Sequence, residues 1–162
     1  MYYDIKIKAI ASIDVNYGIG NENTLLYHNP IDLKHFANTT RSKVVIMGRR
    51  TYESIGKALP KRINVVLSND RSYHAPGCTV VHSKEAALNY AASFNTDIWI
   101  IGGSHIYAMF RHDICFWSIT RVYKSFNSVD TYLYRFEQGF YKSTSKHYGE
   151  FSIESWKTVN NA

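Results

Sequence analysis

Three short, almost wholly apolar segments constrain this chain more than any other feature. They run over 43–47, 62–67 and 97–101, and stretches with helical character lie between them. Apolar runs of this length are typical of strands buried on both faces, as in parallel sheets covered by helices. The alternation of such strands with helices predicts an α/β fold built on a mostly parallel central β-sheet flanked by helices.

The remaining segments complete this prediction. Further strands are expected at 5–10, 78–81 and 114–123. Helices are expected at 30–40, 51–55, 83–94 and 104–111. Glycines and asparagines between residues 14 and 25 predict a loop, and the alternating stretch 151–156 predicts a C-terminal antiparallel edge strand. Without an internal repeat or linker, residues 1–162 are expected to form a single domain.

Net charge and composition narrow the classes of partner. The charge of +6 favours anionic partners, which include phosphorylated cofactors and nucleic acid. Basic residues occur only in pairs such as Arg49-Arg50, so nucleic-acid binding is not expected. No apolar run approaches the ~20 residues that cross a membrane. Isolated thiols at Cys78 and Cys115, and no signal-peptide pattern, favour a cytoplasmic location.

Asp32 is the first candidate for chemistry. It follows the expected N-cap Asn29 and first helical residue Pro30, and it lies beside Leu33 and one turn before Phe36. A carboxylate at this helical position can reach back to the cap amide and interact with the helix dipole. Alternatively, it is an acid in an apolar pocket, where desolvation shifts its pKa and where it can bind a cationic or amidine-like group.

Two strand-to-helix turns are candidates for phosphate binding. In the first, Gly48 ends an apolar strand and is followed by Arg49, Arg50 and Thr51. In the second, Gly102-Gly103 allow close approach of a diphosphate to the backbone. Structural turns explain both patterns equally well when each is taken alone. The histidines lack metal-binding spacing, so no metal site is predicted.

The order of these features closely resembles dihydrofolate reductase of the bacterial or phage type over nearly the whole chain. The matching motifs are Ile19-Gly20, Glu22-Asn23, Asp32-Leu33, Phe36, Val45-Ile46-Met47-Gly48-Arg49, Thr51, Glu53-Ser54-Ile55-Gly56, Leu59-Pro60, Asn64, Leu67-Ser68, Ile101-Gly102-Gly103, Tyr107 and Thr120. The resemblance implies a hydride transfer from NADPH to dihydrofolate that yields tetrahydrofolate. It also implies inhibition by antifolates such as methotrexate or trimethoprim, and the monomeric state is expected.

The same resemblance assigns residues to roles. The catalytic set is Asp32, Thr120, Leu25 and Tyr27. The substrate-binding set is Ile10, Asp32, Leu33, Phe36, Ile55, Lys57, Leu59, Arg62, Ile101, Tyr107 and Thr120. The NADPH-binding set is Ala11, Ser12, Ile19, Gly20, Asn23, Thr24, Gly48, Arg49, Arg50, Thr51, Leu67, Ser68, Asn69, His82, Gly102, Gly103, Ser104, His105, Ile106, Tyr107 and Thr131. Arg62, which otherwise reads as a surface arginine, would pair with the α-carboxylate of the substrate's glutamate.

The chain departs from the family pattern at the first loop. Leu25-Leu26-Tyr27 stands where the family usually has Leu/Met-Pro-Trp, which loses a rigid proline and an indole donor. The Tyr27 hydroxyl is a candidate replacement for that donor. Two alternatives remain open: a reductase of the same fold acting on another heterocycle, such as the pyrimidine of riboflavin synthesis, and a non-catalytic binder of polyanions.

Overall fold

A computed structural model describes residues 5–22 and 24–159. The strands are β1 Ile7–Ile13, β2 Gly18–Asn21, β3 Thr24–Leu25, β4 Val44–Gly48, β5 Ile63–Leu67, β6 Thr79–Val81, β7 Ile98–Gly102, β8 Phe116–Val122, β9 Thr131–Tyr132, β10 Phe140–His147 and β11 Phe151–Thr158. The helices are α1 Pro30–Thr40, α2 Arg49–Ile55, α3 Lys84–Ala92 and α4 Ser104–Met109.

Eight strands form one sheet in the order β10-β11-β8-β1-β7-β4-β5-β6. The six strands from β8 to β6 are parallel to one another. The C-terminal β10 and β11 form an antiparallel pair that is added to the β8 side of the sheet. The predicted α/β class and the antiparallel C-terminal edge are therefore confirmed.

Side chains alternate between the two faces of the sheet, so each apolar strand contributes to both halves of the core. Val44 and Ile46 face the half that includes α3 and α4, whereas Val45 and Met47 face the half that includes Phe36 of α1. All four of these β4 side chains are fully buried. Burial on both faces explains why the apolar runs of these strands show no alternation.

The expected loop over residues 14–25 was wrong in part. β2 and β3 lie within it, and they form a second, three-stranded sheet with the unpredicted β9, in the order β3-β2-β9. β2 includes Gly18 and Gly20, and a Cβ added at Gly18 would lie 2.8 Å from the Val129 side chain. Glycine is required there by close packing, although its low strand propensity points to a loop.

Several helix bounds differ from the predictions by two residues. α2 begins at Arg49, directly after Gly48, rather than at residue 51. α3 ends at Ala92 and α4 at Met109, each two residues before the predicted end. Among the described helices, none has the length and apolar character needed to cross a membrane.

Candidate active site

Asp32 and Thr120 come together where α1 crosses the carboxyl-terminal half of β8. The Thr120 hydroxyl donates a hydrogen bond of 2.5 Å to Asp32 Oδ1. Thr120 is the register partner of Ser12 on β1, and β8 is the outermost parallel strand, to which the antiparallel β11 is added. The Asn29 side chain caps α1 by accepting from the amides of Ile31 and Asp32. The cap fixes the helix start and thereby the position of the carboxylate.

The environment of Asp32 disfavours its charge. Burial raises the pKa of the Asp32 carboxyl, and the Thr120 hydrogen bond and the nearby His35 partly oppose this rise. Among the described residues, no hydrogen bond joins the Asp32 side chain to the Asn29 amide. The geometry therefore does not support a carboxylate bonded back to the cap amide. The Asp32 carboxylate accepts instead from the buried Thr120 hydroxyl of β8.

His35 is a member of this cluster that the sequence analysis did not select. It lies three residues after Asp32 on α1, and its Nε2 is 2.8 Å from Ser118 Oγ on β8. Burial lowers the pKa of the His35 imidazole, while the Asp32 charge raises it. The i, i+3 spacing from Asp32 was the available signal, because residues at that spacing share a helix face.

Three large apolar side chains that the resemblance assigns to the site are open to solvent. Leu33 is 52% exposed and Ile55 is 37% exposed. Leu25, on β3, is 54% exposed. Leu33 directly follows Asp32, so exposed apolar surface lies beside the half-buried acid.

Arg62 is held against the end of α1. Its guanidinium donates to Thr40 Oγ1 at 2.8 Å, to the Ala37 carbonyl at 3.2 Å and to the Pro60 carbonyl at 3.1 Å. These bonds use three of its five N–H groups, which leaves two for an acceptor such as a carboxylate. Burial and the neighbouring Arg41 lower its pKa, but an arginine stays protonated at neutral pH.

Tyr107 connects α4 to β1. Its buried hydroxyl donates a 2.6 Å hydrogen bond to the Ile10 carbonyl, and burial raises the pKa of this phenol well above its usual value. A Cβ at Gly102, whose φ is +117°, would lie 3.4 Å from the Tyr107 ring. The Ile10 carbonyl, Tyr107 and the Ile101-Gly102 segment therefore form one contiguous wall.

The two glycine turns lie side by side, because β4 and β7 are neighbours. A Cβ at Gly48 would be 2.9 Å from Ile106 Cγ1 of α4, and a Cβ at Gly103 would be 3.6 Å from Thr51 Oγ1 of α2. Both turns place backbone and small polar groups at the carboxyl edge of the sheet. In open α/β sheets this edge is where ligands bind.

The arginines after the first turn are oriented differently from each other. Arg49 bonds to Glu53 at 3.1 Å, lies 3.6 Å from Asp70 and stacks over the Tyr73 ring. Arg50 is exposed, and hydrogen bonds from Glu22 and Thr131, with a smaller contribution from the Arg50 charge, lower the pKa of Asp130. Arg49 is thus held by acidic partners that a phosphate would have to displace.

The third strand end in this region belongs to β5. The Ser68 carbonyl is 2.8 Å from His82 Nδ1, and Ser68 Oγ accepts from the Asp70 amide. Asn69 is exposed beside it. Ser68, Asn69 and His82 therefore share one surface next to Arg49.

The first-loop residues belong to the small sheet formed with β9. Gly20 pairs with Thr131 of β9 and with Leu25 of β3. Tyr27 packs against Phe151, and its hydroxyl accepts from Asn29 Nδ2 at 3.4 Å. Asn23, assigned to NADPH by resemblance, lies outside the described residues.

The other assigned residues fall into two surroundings. Ala11, Ile19, Leu67 and Ile106 are buried in the core next to the turns. Lys57, Thr24 and His105 are exposed. Leu59 is fixed by two hydrogen bonds between its backbone and the Asn64 side chain.

Comparison with known proteins decides the family. A family model described as dihydrofolate reductase matches residues 6–157. The chain belongs to the dihydrofolate reductase family. It is therefore an NADPH-dependent oxidoreductase that reduces 7,8-dihydrofolate to 5,6,7,8-tetrahydrofolate, the carrier of one-carbon metabolism.

Individual dihydrofolate reductases support the same assignment. The one from Staphylococcus haemolyticus is 32% identical over 132 residues, which cover 82% of this chain and 78% of that protein. The one from Bacillus subtilis (strain 168) is 31% identical over 155 residues, covering 95% and 82%. The solved structure of the Enterococcus faecalis dihydrofolate reductase, complexed with NADP(H) and RAB-propyl, superposes with a TM-score of 0.88 at 27% identity, covering 96% and 97%.

The structure fits the NADPH that this family uses. Gly48 and Gly103 lie at the ends of neighbouring strands, and Arg50, Thr51 and Ser68 bring basic or hydroxyl side chains just beyond the ends of β4 and β5. Backbone amides, hydroxyls and guanidinium groups are the donors that phosphates need.

Proposed function

We propose that Asp32 is the acid that binds the substrate's pterin ring and promotes its protonation. Asp32 would accept hydrogen bonds from the ring's 2-amino group and N3, and would favour protonation at N5, with water as the carrier. The observation that supports this role most strongly is the 2.5 Å hydrogen bond from Thr120, which fixes one oxygen of a half-buried carboxylate. The other oxygen remains for the ligand.

The other substrate and cofactor contacts are assigned by the same resemblance. Leu33, Phe36 and Ile55 would wall the pterin and benzoyl groups, and Arg62 would pair with the glutamate α-carboxylate through its two free N–H groups. Tyr27 would replace the missing indole donor. NADPH supplies the hydride when it is bound. The donors assigned to hold it are Ser12, Arg49, Arg50, Thr51, Ser68, Asn69, His82, Ser104 and His105.

The assay that tests this role follows nicotinamide absorbance in the presence of NADPH and dihydrofolate. Asp32→Asn should lower turnover at neutral pH by about 10²-fold or more, the usual contribution of a positioned acid. Part of the activity should return in acid, where the substrate is already protonated. Asp97→Asn is the matched control, because Asp97 pairs with Lys8 at the start of β7. Unchanged turnover of Asp32→Asn at neutral pH would contradict the catalytic role of this residue.

We further propose that residues 1–162 act as one domain, that the protein is a cytoplasmic monomer, and that methotrexate and trimethoprim inhibit it. Methotrexate should stop the decay of absorbance in the wild-type assay. A decay that continues under saturating methotrexate would point instead to a reductase of another heterocycle.

A further inference from the structure

A cavity of about 350 Å³ lies apart from the candidate active site. It lies between the residues that follow α4 and the segment that joins β9 to β10. Arg111 and His112 stand just before β8, and Phe140 begins β10. β8 begins at Phe116, and Thr120 lies four residues further along the strand. At the usual rise per residue, this separates the two positions by roughly 13 Å. The cavity is therefore at the opposite edge of the sheet.

Positive charge at this cavity is not neutralised by carboxylates. The Arg111 guanidinium lies 4.4 Å from the Tyr134 ring centre, and the Arg135 guanidinium lies 4.5 Å from the Tyr17 ring centre. Within residues 5–22 and 24–159, neither arginine forms an ion pair. The two acidic residues next to these segments in the chain are already paired.

Those two pairs are with other bases. Asp113 bonds to Lys84 at 2.6 Å, and Glu137 lies 3.6 Å from Arg121. The electrostatic field at the cavity therefore comes from two guanidinium groups, and it favours an anion.

Neutral donors and an apolar floor complete the cavity. Tyr134 is half-buried, and its hydroxyl has no hydrogen-bond partner in the described part of the chain. Burial raises its pKa to about 12, so the phenol remains a donor at neutral pH. The Gln138 amide also lines the cavity, and Phe136, buried to 2% exposure, and Phe140 supply aromatic surface.

We propose that this cavity binds a small phosphomonoester whose organic part is apolar or aromatic. The phosphate would take charge-assisted hydrogen bonds from Arg111 and Arg135 and neutral ones from Tyr134 and Gln138. The organic part would contact Phe136 and Phe140. The volume suits a small ligand, and two arginines at one cavity do not form the long basic stripe that nucleic acids require.

The test is calorimetric titration with phenyl phosphate. The protein is first saturated with one equivalent each of NADPH and methotrexate, so that the phosphate-binding groups of the active site are occupied. Phenyl phosphate should bind, and phenol, which lacks the phosphate, should not produce measurable binding. If phenyl phosphate does not bind at concentrations up to about 10 mM, any affinity is weaker than that of a specific site, and the proposal is overturned.

Variants then locate the binding. Arg111→Gln, Arg135→Gln and Tyr134→Phe should each weaken it, the arginine changes by about tenfold, the value of one charge-assisted hydrogen bond. Lys146→Gln removes one positive charge from the exposed face of β10 and should leave affinity unchanged. An equal loss in Lys146→Gln would show a non-specific charge effect, and unchanged affinity in the arginine variants would place the ligand elsewhere. Turnover of dihydrofolate by the three cavity variants should equal that of the wild type.

Discussion

Asp32 is placed where its ionised form costs stability. Burial raises the pKa of its carboxyl above that of the unfolded chain, so the group stabilises the fold only in its neutral form. That stabilisation is fully present below the unfolded pKa of about 3.9 and is lost as pH rises through the folded pKa. Above the folded pKa the charged carboxylate is a net cost to stability.

Asp32→Asn should therefore melt at a higher temperature than the wild type at pH 7. The difference should shrink toward zero as pH falls below about 4, where the aspartic acid is neutral in both states. Thermal unfolding over a pH series measures it. Asp70→Asn is a control with the opposite expected sign. Hydrogen bonds from Ser72 lower the pKa of Asp70, so removing this carboxylate should destabilise the folded protein at neutral pH. A wild type that is more stable than Asp32→Asn at pH 7 would contradict the sign.

Thr120→Val tests the orientation of the same carboxylate. The hydroxyl lowers the Asp32 pKa, so its removal should raise that pKa and move the corresponding limb of the pH profile of kcat/KM to higher pH. Turnover at neutral pH should fall by about tenfold, the value of one hydrogen bond to a charged group. Thr120→Ser keeps the hydroxyl and should retain the wild-type profile. A profile that does not move in Thr120→Val would show that the bond does not tune Asp32.

At the scale of elements, the two glycine turns act as one unit. A Cβ at Gly48 would be 2.9 Å from Ile106 Cγ1, closer than real side chains pack, so the first turn and α4 fit together only when residue 48 is glycine. If NADPH binds at these turns as proposed, a change at one turn should also affect binding at the other.

Gly48→Ala should lower the free energy of unfolding by about 1–3 kcal/mol, the usual cost of overpacking, and weaken NADPH binding. A double-mutant cycle with Ile106→Ala provides the control, since the shorter side chain makes room for the new methyl group. The cost of Gly48→Ala should be smaller in the Ile106→Ala background than in the wild type. Equal costs in both backgrounds would place the strain elsewhere. Urea unfolding measures all four proteins.

The elements that sequence predicted well are those whose local pattern and tertiary surroundings agree. β4 was expected over 43–47 and occupies Val44–Gly48, because both faces of that strand are buried. β2 was missed because Gly18 and Gly20 are selected by close packing against other segments, which the local sequence does not reveal. The pairing of Arg49 with Asp70 was equally hidden, since Asp70 is 21 positions away.

The contact between Asp32 and Thr120 was predicted only from the family resemblance. These residues are separated by 88 positions, and no periodicity within the chain relates them. His35 shows the converse case, because its helical spacing from Asp32 was visible but its partner Ser118 was not.

At the scale of the whole molecule, the net charge of +6 matches the anionic cofactor and substrate. A field of this sign raises the rate at which anions reach the protein, and salt screens it.

Raising ionic strength from about 0.01 M to 0.15 M shortens the Debye length from about 30 Å to 8 Å and should slow NADPH association severalfold. Stopped-flow fluorescence measures the association rate. The turnover number at saturating substrate should change less, because it does not depend on encounter. Sucrose at matched osmolality is the control and should leave only a viscosity effect. A rate constant that is flat in salt would exclude long-range steering.

The exposed apolar residues assigned to the site by resemblance have a thermodynamic consequence. Leu25, Leu33 and Ile55 are hydrated in the free protein. A ligand that covers them transfers this surface out of water, which makes the heat capacity change of binding negative. The binding enthalpy will therefore become more favourable with each degree of warming, so the enthalpic share of ligand affinity depends on the temperature at which the protein works.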